Sequence, residues 1–174
     1  MNTQKLSQYL FNGFDRIYVI LDGASIPELL TKLYEWQPEY FCLYRGELEP
    51  DIAEVAPYII RITPDTELCD WILKEGWGNH WGIFAQSQYS LAELRKHFRK
   101  FLTVHDESGT PLLFRFYDPR VLRTFLPSCT DEELQEFFGI VKNFALEDED
   151  SNNLVSYFLP KGVLKVNRFE IGQT

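Results

Sequence analysis

The stretch Leu112–Leu122, LLFRFYDPRVL, is an apolar run that carries one arginine, stops on an aspartate–proline pair and restarts as a short amphipathic helix. Extended, it places Leu112, Phe114 and Phe116 on one face and Leu113, Arg115 and Tyr117 on the other. Asp118 stands where a helix N-cap belongs, and Pro119 takes the first helical position, where a missing N–H goes unnoticed. The pattern predicts a strand over 110–117 and a helix over 119–126. Arg115, Asp118 and Arg120 would then gather at the carboxyl end of that strand, where open α/β sheets usually meet ligands and partners. Capping chemistry alone explains the Asp-Pro pair equally well, so the corner reads either as structure or as a site.

The surroundings alternate in the same way. RIYVIL (16–21) is β-branched and aromatic and closes on Asp22-Gly23, a turn signal. Ser25 with Glu28 has the spacing of a capping box and predicts a helix to Trp36. YFCLY (40–44) and PYIIRI (57–62) are further strand candidates, separated by an acidic segment, 47–55, with room for one helical turn. Thr63-Pro64 opens a helix to Glu75, and Trp81–Gln86 reads as a fourth strand. Capping boxes at Ser90/Glu93 and Thr130/Glu133 start two more helices, the first with Leu91, Leu94, Phe98, Phe101 and Leu102 on one stripe. Such alternation predicts an α/β fold, a mixed or mostly parallel sheet flanked by helices. Residues 147–153 are a polar, acidic break, and 154–159 with 163–169 read as a terminal hairpin across Pro160-Lys161-Gly162. The expected organisation is one α/β domain over 1–146, with 147–174 an acidic loop and hairpin-like extension packed on it.

Composition narrows the function. The chain has 174 residues, enough for one domain, and a net charge of −9, which argues against a general nucleic-acid binder. Aromatic residues make up 16%, more large rings than a minimal core needs, and a pointer to binding. Cys42, Cys69 and Cys129 are widely spaced within apolar patterns and read as small core residues of a reducing compartment. No apolar run near the N-terminus suits a signal peptide or a membrane span, so a cytoplasmic location is expected and no membrane partner.

No catalytic set stands out. Asp22 and Asp118 each follow an apolar run, and two such carboxylates could serve a metal-dependent hydrolase of phosphoesters. No phosphate-cradling glycine loop accompanies them, and no metal site or other cofactor is expected. His80, His97 and His105 lack metal-ligand spacing, and His97 falls on the polar face of its helix. Arg95, Lys96, His97, Arg99 and Lys100 form a basic cluster that reads as a solvated face or as a docking stripe for an acidic partner. WGNHWG (77–82), with Trp77 and Trp81 between glycines, reads as a core corner or a recognition surface.

Several motifs, in order, resemble one family. They are YVILDGA (18–24), CLYRG (42–46), EVAPYII (54–60), GWGNHWGIF (76–84), LRKHFRKFLTV (94–104) and LFRFYDPRVL (113–122), with Gly139 after Phe137-Phe138. The set is similar to the adaptor, or effector-chaperone, domain of bacterial type VI secretion systems, long catalogued only as a domain of unknown function. The resemblance implies a non-enzymatic role: holding a toxic effector protein and loading it onto the VgrG spike, sometimes through a PAAR-type tip. Larger members carry a further helical lobe for effector recognition. An immunity protein is a weaker reading of the same residues. Within the corner, Arg115 and Asp118 are expected to organise the turn through a shared ion pair, with Asp22, Gly23 and Pro119 as structural partners. Arg120 is expected to be exposed and to make contact with a partner, and Trp77, Trp81, Arg95 and Arg99 are the further candidates.

Overall fold

The computed structural model describes residues 2–13 and 15–172, so the last two residues of the expected 147–174 extension lie outside the described residues. Along the chain come α1 (Thr3–Leu10), β1 (Arg16–Asp22), α2 (Leu29–Trp36), β2 (Tyr40–Cys42), α3 (Pro50–Val55), β3 (Pro57–Ile62), α4 (Glu67–Trp71) and β4 (Gly82–Ser87). Then follow α5 (Leu91–Phe98), β5 (Thr103–His105), β6 (Pro111–Leu113), α6 (Pro119–Ser128), α7 (Asp131–Phe138), β7 (Asn143–Glu147), β8 (Asn153–Phe158) and β9 (Lys165–Glu170). One sheet of seven strands has the order β2-β3-β1-β4-β7-β8-β9, and β5 and β6 form a separate two-stranded ribbon.

Every neighbouring pair in the large sheet is antiparallel, which corrects the expectation of a mixed or mostly parallel sheet. The helices do carry the chain between strands of like direction, from β1 through α2 to β2 and from β3 through α4 to β4. In each case one position is skipped: β3 enters between β1 and β2, and β1 lies between β3 and β4. Alternation of strand and helix in a sequence fixes the direction of a crossover, not which strand later fills the gap.

β1 is central, and its burial follows. Tyr18 and Ile20 face one core, with Leu94, Phe98, Leu122 and Phe137 from α5, α6 and α7. Ile17, Val19 and Leu21 face the other, with Leu6, Leu10, Leu29, Leu33 and Leu68 from α1, α2 and α4. Tyr18 and Ile20 are fully buried, and burying side chains of this size is worth about 1.5–3 kcal/mol each.

Sequence and structure part in four further places. Of the strand expected over 110–117 only Pro111–Leu113 forms, and it pairs with β5 outside the large sheet. Phe116 and Tyr117 are consecutive and both buried, which an alternating strand with one solvated face does not allow. Phe116 instead stacks on Phe98 at 5.5 Å and meets Phe137 edge-on at 5.7 Å, so the chain leaves the ribbon and wraps an aromatic cluster. The Ser25/Glu28 capping box does not form: Ser25 Oγ donates to Asp22 at 3.1 Å, and α2 starts at Leu29. The helix expected from Thr63 starts at Glu67, capped by Thr66, and runs into a wider turn over Ile72–Gly76. His97 is buried, not on a polar face; its Nε2–H donates to the Phe137 carbonyl at 2.8 Å, and burial lowers its pKa. The capping boxes at Ser90/Glu93 and Thr130/Glu133 are present as expected, as is the terminal hairpin β8–β9.

Gly139 closes α7 with φ +47°, and a Cβ there would lie 2.5 Å from Cε1 of His97. Gly139→Ala therefore combines backbone strain with a clash against a buried ring. A loss of about 1–3 kcal/mol is expected, read as a lower urea midpoint at unchanged slope.

Candidate functional site

β1 ends on a buried charge. Asp22 is 1% exposed, and its N–H donates to the Trp81 carbonyl at 2.8 Å, holding the strand end against the segment that enters β4. Gly23 N–H donates to the Ala56 carbonyl at 3.1 Å; a Cβ on Gly23 would stand 2.4 Å from that oxygen, so only glycine lets the two backbones come this close. The Asp22 carboxylate accepts from Ala24 N–H at 3.2 Å, from Ser25 Oγ and from the Arg115 guanidinium. The bond to Asp22 raises the pKa of Arg115, whose side chain is 41% exposed.

Asp118 is the N-cap of α6, with Pro119 at the first position as the sequence predicts. Its Oδ1 accepts from Arg120 N–H at 2.9 Å and Nε at 3.0 Å, and its Oδ2 from Nη2 at 2.7 Å. Burial pushes the Asp118 pKa up, but the Arg120 side-chain and backbone bonds, with the charges of Arg120 and Arg115, bring it below the ordinary carboxylate value. The corner thus holds two ion pairs, Arg115–Asp22 and Arg120–Asp118, in place of the expected Arg115–Asp118 pair. Arg120 is exposed as predicted, at 57% of its side chain.

A third buried carboxylate sits at the same end of the sheet. β7 is antiparallel to β4, as is β1, so β1 and β7 finish on one side. β7 ends on Glu147, 3% exposed. Its carboxylate accepts from Gly78 N–H, from His80 N–H at 3.2 Å and from the His80 ring. Trp77 Nε1–H donates to the Ser151 carbonyl at 2.7 Å, and Arg123 donates to the Glu147 carbonyl at 2.6 Å. The WGNHWG loop is therefore fastened to the β7–β8 turn. Asp22, Asp118 and Glu147 are the buried carboxylates among the described residues, and each is fully engaged. Among the described residues no group of three or more His, Cys, Asp or Glu side chains is gathered for a metal.

The other sequence candidates divide. Trp77 is buried, and Trp81 packs at 4.6 Å from Trp71, so both tryptophans belong to a core corner. Arg99 donates to the carbonyls of Cys42, Leu43 and Tyr44 at 3.1, 2.9 and 2.7 Å. Arg95 lies over the Phe41 ring, 4.5 Å from its centroid. Lys96 and Lys100 remain exposed, so the basic cluster is partly a clamp on the segment around β2. Glu147 and Arg123 were not singled out in the sequence, where Glu147 opens an acidic run. The apolar pattern of NFALE (143–147) was the available sign of a strand ending there.

The comparisons with known proteins agree with the motifs. The family model described as domain of unknown function DUF4123 matches residues 17–136, and the chain belongs to this family, the type VI secretion accessory family that its motifs resemble. It is also 27% identical over 103 residues to Accessory protein VasW of Vibrio cholerae serotype O1 (strain ATCC 39315 / El Tor Inaba N16961). The match covers 58% of this chain and 34% of that relative, so the chain spans about a third of its length. No solved structure matches. No helix among the described residues is long and apolar enough to cross a membrane.

The lowered pKa of Asp118 gives a pH signature. A depressed carboxylate adds stability above its unfolded value, about 3.9, and that stability is lost as pH falls through the folded value. Asp118→Asn, which keeps a capping oxygen, should remove this part of the acid slope between about pH 5 and pH 2. Asp118→Ala should also lower stability at pH 7 by about 1 kcal/mol through loss of the cap. Urea titrations across that range check both.

Proposed function

We propose that the protein is a type VI secretion adaptor, an effector chaperone that binds a cognate effector and presents it to a VgrG or PAAR spike protein. Family membership supports the class of role. The observation that carries protein binding is the β5–β6 ribbon, inside the family-matched stretch, which exposes Val104 at 40%, Leu112 at 48% and Leu113 at 56%. A two-stranded ribbon is marginal in water, and neighbouring exposed aliphatics mark contact with another protein. Arg115 and Arg120 stand nearby in the same motif, anchored at their inner ends and open outside, as arginine contacts at interfaces often are. The reading is non-enzymatic: Asp22 and Asp118, the pair a hydrolase would use, each have an arginine on their carboxylate.

The mechanism is a reversible clamp in the producing cell. The adaptor covers an apolar segment of the effector and yields it when spike assembly offers a competing surface. Capture of the intact protein from its native cells should retain an effector and a spike component. Leu113→Asp should weaken that capture at least tenfold at a folding cost below about 1 kcal/mol, since its side chain is exposed. Arg120→Ala should weaken it at least tenfold too, with a folding cost of about 1–2 kcal/mol because buried Asp118 loses its ion pair. A stable effector–spike complex that forms at full yield without this protein would contradict loading. Neutralisation of a toxin's active site, with no aid to export, would point to an immunity protein instead.

A further inference from the structure

β9 is the outer strand of the large sheet, six residues long and exposed throughout. Its register with β8 pairs Asn153 with Glu170 and Ser156 with Asn167, and Ile171 N–H donates to the Asn152 carbonyl at 2.7 Å. Hydrogen-bonded and non-bonded pairs alternate in an antiparallel ladder. Lys165, Asn167 and Phe169 therefore spend their backbone groups on β8, while Val166, Arg168 and Glu170 direct theirs outward. None of these outward N–H and C=O groups has a partner among the described residues.

The other edges are blunted. At β2 the same alternation turns the carbonyls of Cys42 and Tyr44 outward, and both are taken by Arg99. The ribbon is three residues long, and Pro111 removes an N–H from the outer side of β6. Among the described residues β9 alone offers a long ladder of free groups with apolar side chains on both faces, Val166 at 39% and Phe169 at 37% exposed. Beside it a cleft of about 660 Å³ runs towards α6, lined by Tyr157 and Val166 and by three arginines, Arg120, Arg123 and Arg168, balanced by Asp148, Glu149 and Asp150, with Asp148 paired to Arg168.

We infer that β9 is a strand-addition site for an extended, acidic segment of a partner protein. Charge selects the occupant. In a chain of net charge −9, residues 160–170 carry Lys161, Lys165 and Arg168 against Glu170 alone. A second copy fits poorly. A two-fold axis between two copies of one edge stands perpendicular to the sheet and keeps each face continuous. The two registers that then use five residues centre on Asn167 or on Arg168. Neither sets a cation opposite Glu170, and the second sets Arg168 against itself. Arg168 already has Asp148, so an acidic strand supplies anions to Lys161 and Lys165, which form no ion pair among the described residues, while it fills the ladder and covers Val166 and Phe169. That the segment belongs to an effector or spike rests on the adaptor reading.

The test uses the intact protein and a fluorescein-labelled octapeptide alternating valine with glutamate, and a second alternating valine with lysine. The glutamate peptide should bind at least tenfold more tightly, and amide exchange at Val166 and Arg168 should slow at least tenfold in its complex. Val166→Pro removes an outward N–H that β8 does not use, and should weaken binding at least tenfold with the thermal midpoint kept. Arg168→Glu, which leaves the backbone intact, should weaken it at least fivefold. Equal binding of both peptides, unchanged exchange, or full affinity in Val166→Pro would overturn the inference. So would a dimer of the free protein that Val166→Pro dissolves, since the occupant would then be a second copy. If Val166→Pro loses the peptide yet captures effector and spike in full, the adaptor reading stands and this site is not its client site. If the peptide binds through the edge while no secretion component is captured, the edge stands and the adaptor reading falls.

Discussion

A full charge buried at the end of the central strand governs the architecture. Asp22 cannot sit at 1% exposure without partners, and Ala24, Ser25 and Arg115 supply them. Arg115 is 93 residues away in the chain, so the pair fixes where the segment after the ribbon must lie. Tyr117 and Asp118 follow at once, one driven into the core and the other capping α6. Removing one partner of a buried pair leaves an uncompensated charge, so the constraint acts on position more than on net stability. Glu147 repeats the device at the end of β7, where its carboxylate ties the WGNHWG loop to the sheet.

The antiparallel order gives these knots their shared location. With β1 and β7 running alike, their carboxyl ends bring Asp22 and Glu147 to one side, and Arg120 feels both charges besides that of Asp118. The opposite economy appears at the sheet's outer strands. Arg99 occupies the spare carbonyls of β2, whereas β9 keeps its own open. The family-matched part of the chain ends at residue 136, before β7, so the open edge belongs to the remaining segment.

What the sequence showed was local chemistry. The strands β1, β3 and β4, the two capping boxes and the Asp118-Pro119 helix start all depend on residues a few places apart, and all are present. Pairing across the chain was not legible. The pairings β1–β4 and β4–β7, the bond between Arg115 and Asp22 and the three carbonyls held by Arg99 join segments more than 50 residues apart. FRFY (114–117) misled because its alternation of large and charged residues suits a strand, while the rings are used to fill a cluster with Phe98, Phe125 and Phe137. His97 looked polar by type and helical position, yet the carbonyl of Phe137 satisfies it inside the core.

In the motif that resembles secretion adaptors, Arg115 and Arg120 lock a corner on Asp22 and Asp118, while Leu112 and Leu113 stand exposed. The locking claim is tested most directly by a double-mutant cycle on Asp22→Ala and Arg115→Ala, read by urea unfolding at pH 7. The account predicts a coupling of about 2 kcal/mol, with the double variant less destabilised than the sum of the singles. A coupling within about 0.3 kcal/mol of zero would contradict it, leaving Arg115 a surface residue and Asp22 a simple turn.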